Sequence, residues 1–390
     1  MMRSLFILKN KEKFFKMSEK NMKTNPNIGI VKFSLIDPDD SYELPSYEES
    51  DSRNKNIVSW GPSNQFPNML YEMCQNSATL SAIINGTVEL LKGEQITINP
   101  DIHTNGDLYY YPFINRFDDT AADLVEALAR DYMLFGMFAI QVIYNKLGNI
   151  AEIIALPAEY IRMNEDRSLI YFSKKWKKYT ISDVVYDKFD RENVIDNKAQ
   201  VFVYTNSGHR QVYGISPQNA ALEDIAAEAF SAKYVRKSLQ SGLSARYIID
   251  LPSTANLTDE QKADIEEGIT EKFTGWENSG SFALYFNNGT EAMHITKVDM
   301  DNSNEIFKSI REAASQNIFI VNHATPNVFG LPTATTGFSE QEYDQAYALY
   351  NKMTLVPIKE SIKRSLNKIF RMTDAITFVD KNNSLNNDGE

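Results

Sequence analysis

Few side chains in this sequence stand in a pattern that could make or break a bond. Tyr213–Gln218, YGISPQ, contains a Gly-x-Ser. A nucleophile elbow needs a second glycine after the serine, and here Pro217 and Gln218 follow instead. Ser216 is better read as a helix cap, because its side-chain oxygen stands just before a proline suited to a first helical turn. His294 falls within an apparent strand and His323 at a helix end, and neither has a nearby acid or cysteine pattern typical of nucleophilic catalysis. The carboxylates of Asp187–Glu192, DKFDRE, alternate with bases as a solvated face does, and no pair stands out as an acid/base couple. The single cysteine, Cys74, leaves no internal disulfide framework and no cysteine-based zinc set, and the four histidines show no metal spacing. No glycine-rich phosphate loop is present. The expectation is therefore no catalytic residue, no metal ligand and no cofactor.

The unusual stretch is HATPNVFGLPTATTGFSEQEY, His323–Tyr343. It lies between two runs of helical period, yet carries two prolines, two glycines and a cluster of threonines. Connections between packed helices usually need only about 2–8 residues. From Ala324 to Phe338 there is no charged side chain, and Gly330 and Gly337 supply hinges.

With 390 residues, 43% hydrophobic and 24% charged, the chain can bury a sizeable core and suggests two or three compact units. A net charge of -12 argues against gripping nucleic acid by neutralising its phosphates. It does not exclude a surface past which nucleic acid slides. The apolar stretch after Arg3 is too short for a signal peptide, and runs such as YMLFGMFAI fall short of a membrane span. Arg3–Lys23 is mainly basic and Asp37–Asp51 acidic, so residues 1–56 read as an arm without its own core: a solvated tail, a docking arm, or a stretch upstream of a true start at Met17.

The period of the apolar residues gives the elements. Asn68–Leu91 predicts one helix with Pro67 at its start, and a second begins at Asp118 or Asp119 and stops at Gly136. The segments AIQVIYN, AEIIALP, YIRMN, LIYFSKKW and QVFVYTN then read as short strands, making 57–213 an α+β unit. A helix follows from Ser216 to Gly242, with alanines at 220, 221, 226, 227, 229 and 232 that either let a neighbour pack close or simply favour helix. Ala245–Val298 reads as a βαββ patch. Asn302 and Glu305 open another helix, and Ser339 with Glu342 opens a last long one running to Phe370.

In that order the segments WGPSNQFPNMLYEM, YGISPQNAALEDIAAEAFSAKYVRKSLQSG, LTDEQ…GWENSGSFALYF, IREAASQNIFIVNHATPNVFGL and TGFSEQEYDQAYALYNKMTLVPIKESIKRSLNKIF span roughly residues 57 to 371. Together they resemble the portal proteins of tailed bacteriophages and related transfer particles. Another capsid or connector protein on a similar helical frame, or a hydrolase with an unrecognised site, remains an alternative.

The resemblance implies an α+β, ring-forming fold with an α/β wing (57–213), two stem helices (214–244 and 299–323), a small α/β clip (245–298), a tunnel loop (324–338), a long kinked wing helix (339–371) and a short C-terminal segment (372–390). It implies a virion location at the capsid portal vertex after assembly in the bacterial cytoplasm. The implied partners are a homo-oligomeric ring of typically twelve subunits, the terminase large subunit, a head-completion or adaptor protein, the major capsid protein, and double-stranded DNA passing without sequence specificity, with no membrane. His323, Thr325, Asn327, Thr333, Thr335, Thr336 and Gly337 are the expected channel-facing residues. An uncharged threonine loop suits a passage, since a strongly basic lining would hold a polyanion; an ordinary surface loop is the competing reading. Trp276, Glu277 and Asn278 are the expected terminase contact, or Trp276 caps the clip's own core. Pro357 is expected to kink the last helix. Two departures stand out: little chain is left for a helical crown after Phe370, and the basic arm has no placed counterpart.

Overall fold

The computed structural model describes residues 49–51, 57–176, 184–194, 198–240, 246–252, 282–287, 294–298, 303–329 and 340–379. The chain divides into two compact units, one built from Leu44–Ala229 and Ser309–Glu390, the other containing Phe230–Lys308.

In the first unit, β1 (Glu49–Asp51) pairs antiparallel with β2 (Val58–Trp60), so an ordered strand lies inside the expected arm. Two helices follow, α1 (Phe66–Asn76) and α2 (Ala78–Lys92), where the sequence predicts one. Ser77 separates them. Its backbone is extended, and its side chain accepts the Leu80 N–H at 3.1 Å, an N-cap that starts a new helix. Next come β3 (Gln95–Ile98), α3 (Asp101–Thr104) and α4 (Ala121–Phe135). The cap of α4 is Thr120 rather than Asp118 or Asp119: Thr120 and Asp123 form a reciprocal capping box, whose hydrogen bonds hold the Asp123 carboxyl below its ordinary range. The helix ends at Gly136, whose φ is 65°.

Strands β4 (Met137–Tyr144), β5 (Ile150–Leu156), β6 (Ile161–Met163), β7 (Leu169–Phe172), β8 (Val184–Lys188) and β9 (Gln200–Thr205) form one sheet in the order β5-β4-β9-β8-β7-β6. All its pairings are antiparallel except β8 with β9. β4 is central and buried on both faces along most of its length, so its sequence is a continuous apolar run rather than an alternation. β8 is mostly exposed. It lacks an apolar period, and its last two residues belong to the charge run expected to be a solvated face.

The chain continues through α5 (Leu222–Gln240) and, in the second unit, β10 (Arg246–Pro252), β11 (Phe282–Asn287) and β12 (His294–Val298). β10 lies between β11, to which it is parallel, and β12, to which it is antiparallel. A parallel pair needs a crossover connection; the helix expected there lies outside the described residues. α6 (Ser303–Val321) leads back to the first unit, which is completed by α7 (Glu340–Tyr350), a π-helical turn over Asn351–Leu355, α8 (Val356–Phe370) and β13 (Ile376–Val379). The last helix is thus interrupted just before Pro357, where a proline lacks the N–H that a regular turn needs. β13 pairs antiparallel with β3, closing the chain's late segment onto its early one.

The core of the first unit gathers around Trp60, which is fully buried. Tyr213 stacks on it at 4.3 Å between ring centroids, with Phe66 at 6.1 Å and Phe135 edge-on at 6.0 Å. Arg162 is also fully buried, its guanidinium 5.8 Å from the Trp60 ring and 5.1 Å from that of Trp176. Nε donates to Asn64 Oδ1 at 2.7 Å, Nη1 to the Glu159 and Ile161 carbonyls at 3.0 and 2.7 Å, and Nη2 to the Asn64 carbonyl and Asn68 Oδ1 at 2.7 and 3.3 Å. All the donors of a guanidinium fork are used. Asn64 can present both oxygens because it takes a positive φ of 59° within the Trp60–Asn64 turn, where its side chain also accepts the Trp60 N–H at 3.0 Å. Burial lowers the Arg162 pKa to about 10, which still leaves it charged at neutral pH.

Arg162→Lys should therefore destabilise the protein, because an ammonium on a flexible stem cannot satisfy acceptors fixed for a planar fork. A loss of roughly 2–4 kcal/mol in denaturant unfolding is expected from the buried acceptors left unpaired. Wild-type stability in this variant would show that the hub is dispensable.

Candidate functional site

Each position of Tyr213–Gln218 except Ile215 and Pro217 makes a side-chain contact or close approach that fixes the start of α5. The Tyr213 hydroxyl donates to the Val58 carbonyl and accepts the Met163 N–H at 3.0 Å. Gly214 lies against the end of α4, where an added Cβ would fall 2.5 Å from the Gly136 carbonyl oxygen. Ser216 is buried, donates to the Leu134 carbonyl at 2.5 Å and accepts the Gln218 N–H at 3.1 Å, capping the short 3-10 turn Pro217–Ala221 that leads into α5. Its oxygen accepts a backbone N–H as a cap does, and its proton is committed to a carbonyl. Gln218 and Asn322 form a reciprocal amide pair at 2.8 and 3.1 Å, with Gln218 also donating to the Met133 carbonyl at 3.1 Å. The start of α5 and the end of α6 are thereby tied to each other and to α4.

A second junction lies on Glu228 of α5, which is buried. Its carboxylate accepts from Ser77 Oγ at 2.5 Å and Thr79 Oγ1 at 2.8 Å, and more weakly from the Thr79 N–H at 3.3 Å. A negative group at the first turn of α2 is favoured by the exposed N–H groups and dipole of that helix. Thr79 Oγ1 also lies 3.1 Å from Ser315 Oγ of α6. The expected stem helices are thus each joined to α2 through one polar cluster.

The root of the expected tunnel loop follows directly. Asn322 and His323 leave α6, His323 with a φ of 53°, and the Ala324 N–H returns to the Phe319 carbonyl at 2.9 Å. A 3-10 turn over Pro326–Phe329 then buries Val328 and docks Phe329. The Phe329 ring occupies a notch in α2 that exists because residue 86 is glycine: a Cβ there would fall 2.5 Å from Phe329 Cδ1. Tyr350 meets the ring edge-on at 5.5 Å and Phe319 lies 6.3 Å away. Thr87 Oγ1 donates to the Ile83 carbonyl at 2.6 Å, so the Tyr350 hydroxyl, 2.6 Å from Thr87, is the donor of that pair. Burial raises the Tyr350 pKa to about 12.

Of the expected tunnel loop, 324–338, the described residues, to Phe329, form a docked turn. The apolar character of VF, unexplained by a solvated loop, comes from this docking. His323 and Thr325 are exposed and Asn327 half-buried. Thr333, Thr335, Thr336 and Gly337 lie outside the described residues, as do Trp276, Glu277 and Asn278. His294 lies in β12. Pro357 lies in the first turn of α8. The Asp187–Glu192 run is structural. Asp190 accepts from Asn193 Nδ2 at 2.8 Å and from the Glu192 N–H at 3.0 Å, bonds that hold its pKa below the ordinary value, and Arg191 pairs with Asp107 at 2.6 Å. Among the described residues no group of His, Cys, Asp and Glu could hold a metal ion, and no helix is long and apolar enough to cross a membrane.

Sequence reasoning misses Gly86 and Asn64. An isolated glycine within the helical pattern of α2 is the available signal for the first, since such a residue usually marks a close approach. The turn-forming run WGPSN is the signal for the second.

The frame is a mixed α+β unit in which buried polar side chains join helices. A family profile described as "Phage portal protein" matches residues 115–387. Matched over well over half of its length, the chain belongs to the phage portal protein family. It is 20% identical over 250 residues to the "Probable portal protein" of Haemophilus phage HP1 (strain HP1c1), an alignment covering 63% of this chain and 68% of that one. Its structure is similar to the portal protein of the HK97 family from Corynebacterium diphtheriae, with a TM-score of 0.49, 15% identity and coverage of 81% and 96% of the two chains. It is also similar to a chain from the neck of a native gene transfer agent particle computed with C12 symmetry, with a TM-score of 0.48, 15% identity and coverage of 84% and 86%. The protein is a phage portal protein, a structural component of the virion at the portal vertex of the capsid.

The notch at Gly86 gives a direct test of the loop root. Gly86→Ala should destabilise by about 1–2 kcal/mol through overpacking against Phe329. In a Phe329→Ala background the same change should stabilise by up to about 1 kcal/mol, the ordinary helical preference for alanine over glycine. A double-mutant cycle by thermal or denaturant unfolding reads the difference, and additive effects would show that the ring does not occupy the notch.

Proposed function

We propose that this chain assembles into a closed ring, of twelve copies, that forms the channel for double-stranded DNA during packaging and ejection. Family membership supports the ring, and twelve is the copy number that the resemblance to portal proteins implies. The observation that carries the channel reading is the loop root: Phe329 is locked against α2, and α7 begins at Glu340, so residues 330–339 connect a docked turn to a helix. Thr333, Thr335, Thr336 and Gly337 belong to this span and face the passing DNA, with His323, Thr325 and Asn327 at its base. Their lack of charge lets a polyanion slide.

In this reading 57–213 is the wing, the helices of 214–244 and 299–323 are the stem, and 245–298 is the clip. The junctions at Gln218–Asn322 and Glu228–Thr79–Ser315 support the stem assignment, since they hold the two helices to each other and to the wing helices α4 and α2. Trp276, Glu277 and Asn278 of the clip meet the terminase large subunit and, later, a head-completion protein; the wing meets the major capsid protein. The π-helical turn before Pro357 supports a bend by which the last helix follows the ring.

Converting Thr335 and Thr336 to Lys would place a ring of fixed positive charge around the DNA. Packaging should slow, and raising the salt should partly restore it. Equal packaging rates at all salt concentrations would show that the loop does not face DNA. Trp276→Ala should leave ring assembly intact while weakening terminase binding, as removal of an exposed aromatic anchor does. Loss of the rings themselves would instead place Trp276 in the clip's own core.

A further inference from the structure

The first unit contains a basic hollow that the channel reading does not use. About 320 Å³ in volume, it lies between β9, the turn after β9 and the last turns of α8, a size at the lower end of small-molecule sites, about 300–1,000 Å³. Arg167, His209, Arg364 and Lys368 line it together with the aromatic rings of Phe202 and Tyr204. No carboxylate lines it. In a chain with a net charge of -12, such a segregation of cations is locally opposite to the whole.

The surroundings of these cations explain why the charge is fixed and open. Arg167 stands at a positive φ of 58° and donates to Thr205 Oγ1 at 3.3 Å, to the Gly208 carbonyl at 2.7 Å and to the Gln211 carbonyl. These are neutral acceptors, so its charge is positioned but not cancelled. Arg364 and Lys368 are one helical turn apart on α8 and both exposed. Arg364 Nε donates to the Glu360 carbonyl at 3.2 Å, and Lys368 Nζ sits 5.7 Å from the Phe202 ring centroid. Among the described residues neither is paired with a carboxylate. Neighbouring cations on the same helix are: Lys359 pairs with Glu94, and Lys363 with Asp374 at 2.6 Å. On α8, therefore, the cations lining the hollow are the ones not paired with a carboxylate among the described residues.

We propose that this hollow binds a phosphate group. A guanidinium fork and an ammonium lining one hollow without a carboxylate suit a tetrahedral oxyanion, with Arg364 able to give two parallel N–H bonds and Lys368 a point charge. The phosphate comes either from a nucleic-acid backbone or from free phosphate in solution. The site is independent of the channel reading, because no residue of the expected tunnel loop lines it.

The test uses the full-length protein, titrated calorimetrically with inorganic phosphate and, separately, with a short random-sequence DNA duplex. Wild type should bind phosphate saturably, and Arg364→Gln/Lys368→Gln should weaken that binding at least tenfold. Arg364→Lys/Lys368→Arg, which keeps both charges, should retain most of it. Thermal melts of all three should coincide, because both side chains are exposed. If the backbone is the source, the duplex will also bind, and the neutral variant will flatten its log K against log salt slope by roughly 1.8, about 0.9 for each phosphate left unneutralised. Binding of free phosphate alone would assign the site to that source. An absence of saturable phosphate binding, or an equal affinity in the neutral variant, would overturn the proposal. So would binding of an oligoglutamate peptide that phosphate does not displace, because the hollow would then be a seat for protein carboxylates.

Discussion

Arg162 brings a full positive charge into the core of the first unit, where desolvation of an ion costs several kcal/mol unless the surrounding acceptors replace water. That constraint organises much around it. The Trp60–Asn64 turn must hold Asn64 at a positive φ so that both of its oxygens face the guanidinium. The 3-10 turn before β6 must present the Glu159 carbonyl, and β6 itself the Ile161 carbonyl. Trp60 and Trp176 flank the charge, and Trp176 is held by its own bond from Nε1 to the Tyr160 carbonyl at 2.7 Å. Burying a guanidinium demands a planar set of acceptors, and such a set specifies one arrangement of turn, helix and strand.

From this hub the geometry continues without a break to the expected stem. Tyr213 stacks on Trp60, and the next residue, Gly214, lies against the left-handed end of α4. Ser216 and Gln218 then fasten the entry of α5 to the last carbonyls of α4, and Gln218 passes the constraint to Asn322, next to the root of the loop. Phe329 in the Gly86 notch fixes the far side of that root.

Element types are largely legible in the sequence because burial imposes period. The strands of 137–172 and 200–205, the capping role of Ser216, the stop at Gly136 and the family itself can all be read from residue order. What escapes has physical causes. The break at Ser77 depends on a serine cap whose hydroxyl is bound by Glu228, 151 residues away, a long-range interaction that no local pattern encodes. β8 has too little burial to impose alternation. Thr120 is hard to tell from the neighbouring aspartates because both residue types cap helices, and only geometry shows that Asp118 takes a positive φ of 62° outside the helix. The docking of Phe329 is hidden because its partner is a glycine, which leaves no side chain from which to infer a neighbour. The polar inventory of the expected tunnel loop is legible only through resemblance, since threonines and glycines have no pattern that distinguishes a channel from any other surface.

The proposed closure of the chain into a ring, with residues 330–339 facing its channel, is open to direct observation by electron cryo-microscopy of the purified full-length protein. Annular particles with a central hole are expected, with Phe329 seated against Gly86 and with Thr333, Thr335 and Thr336 lining the lumen. Particles without a hole, or a ring in which these threonines lie on the outer surface, would contradict that arrangement.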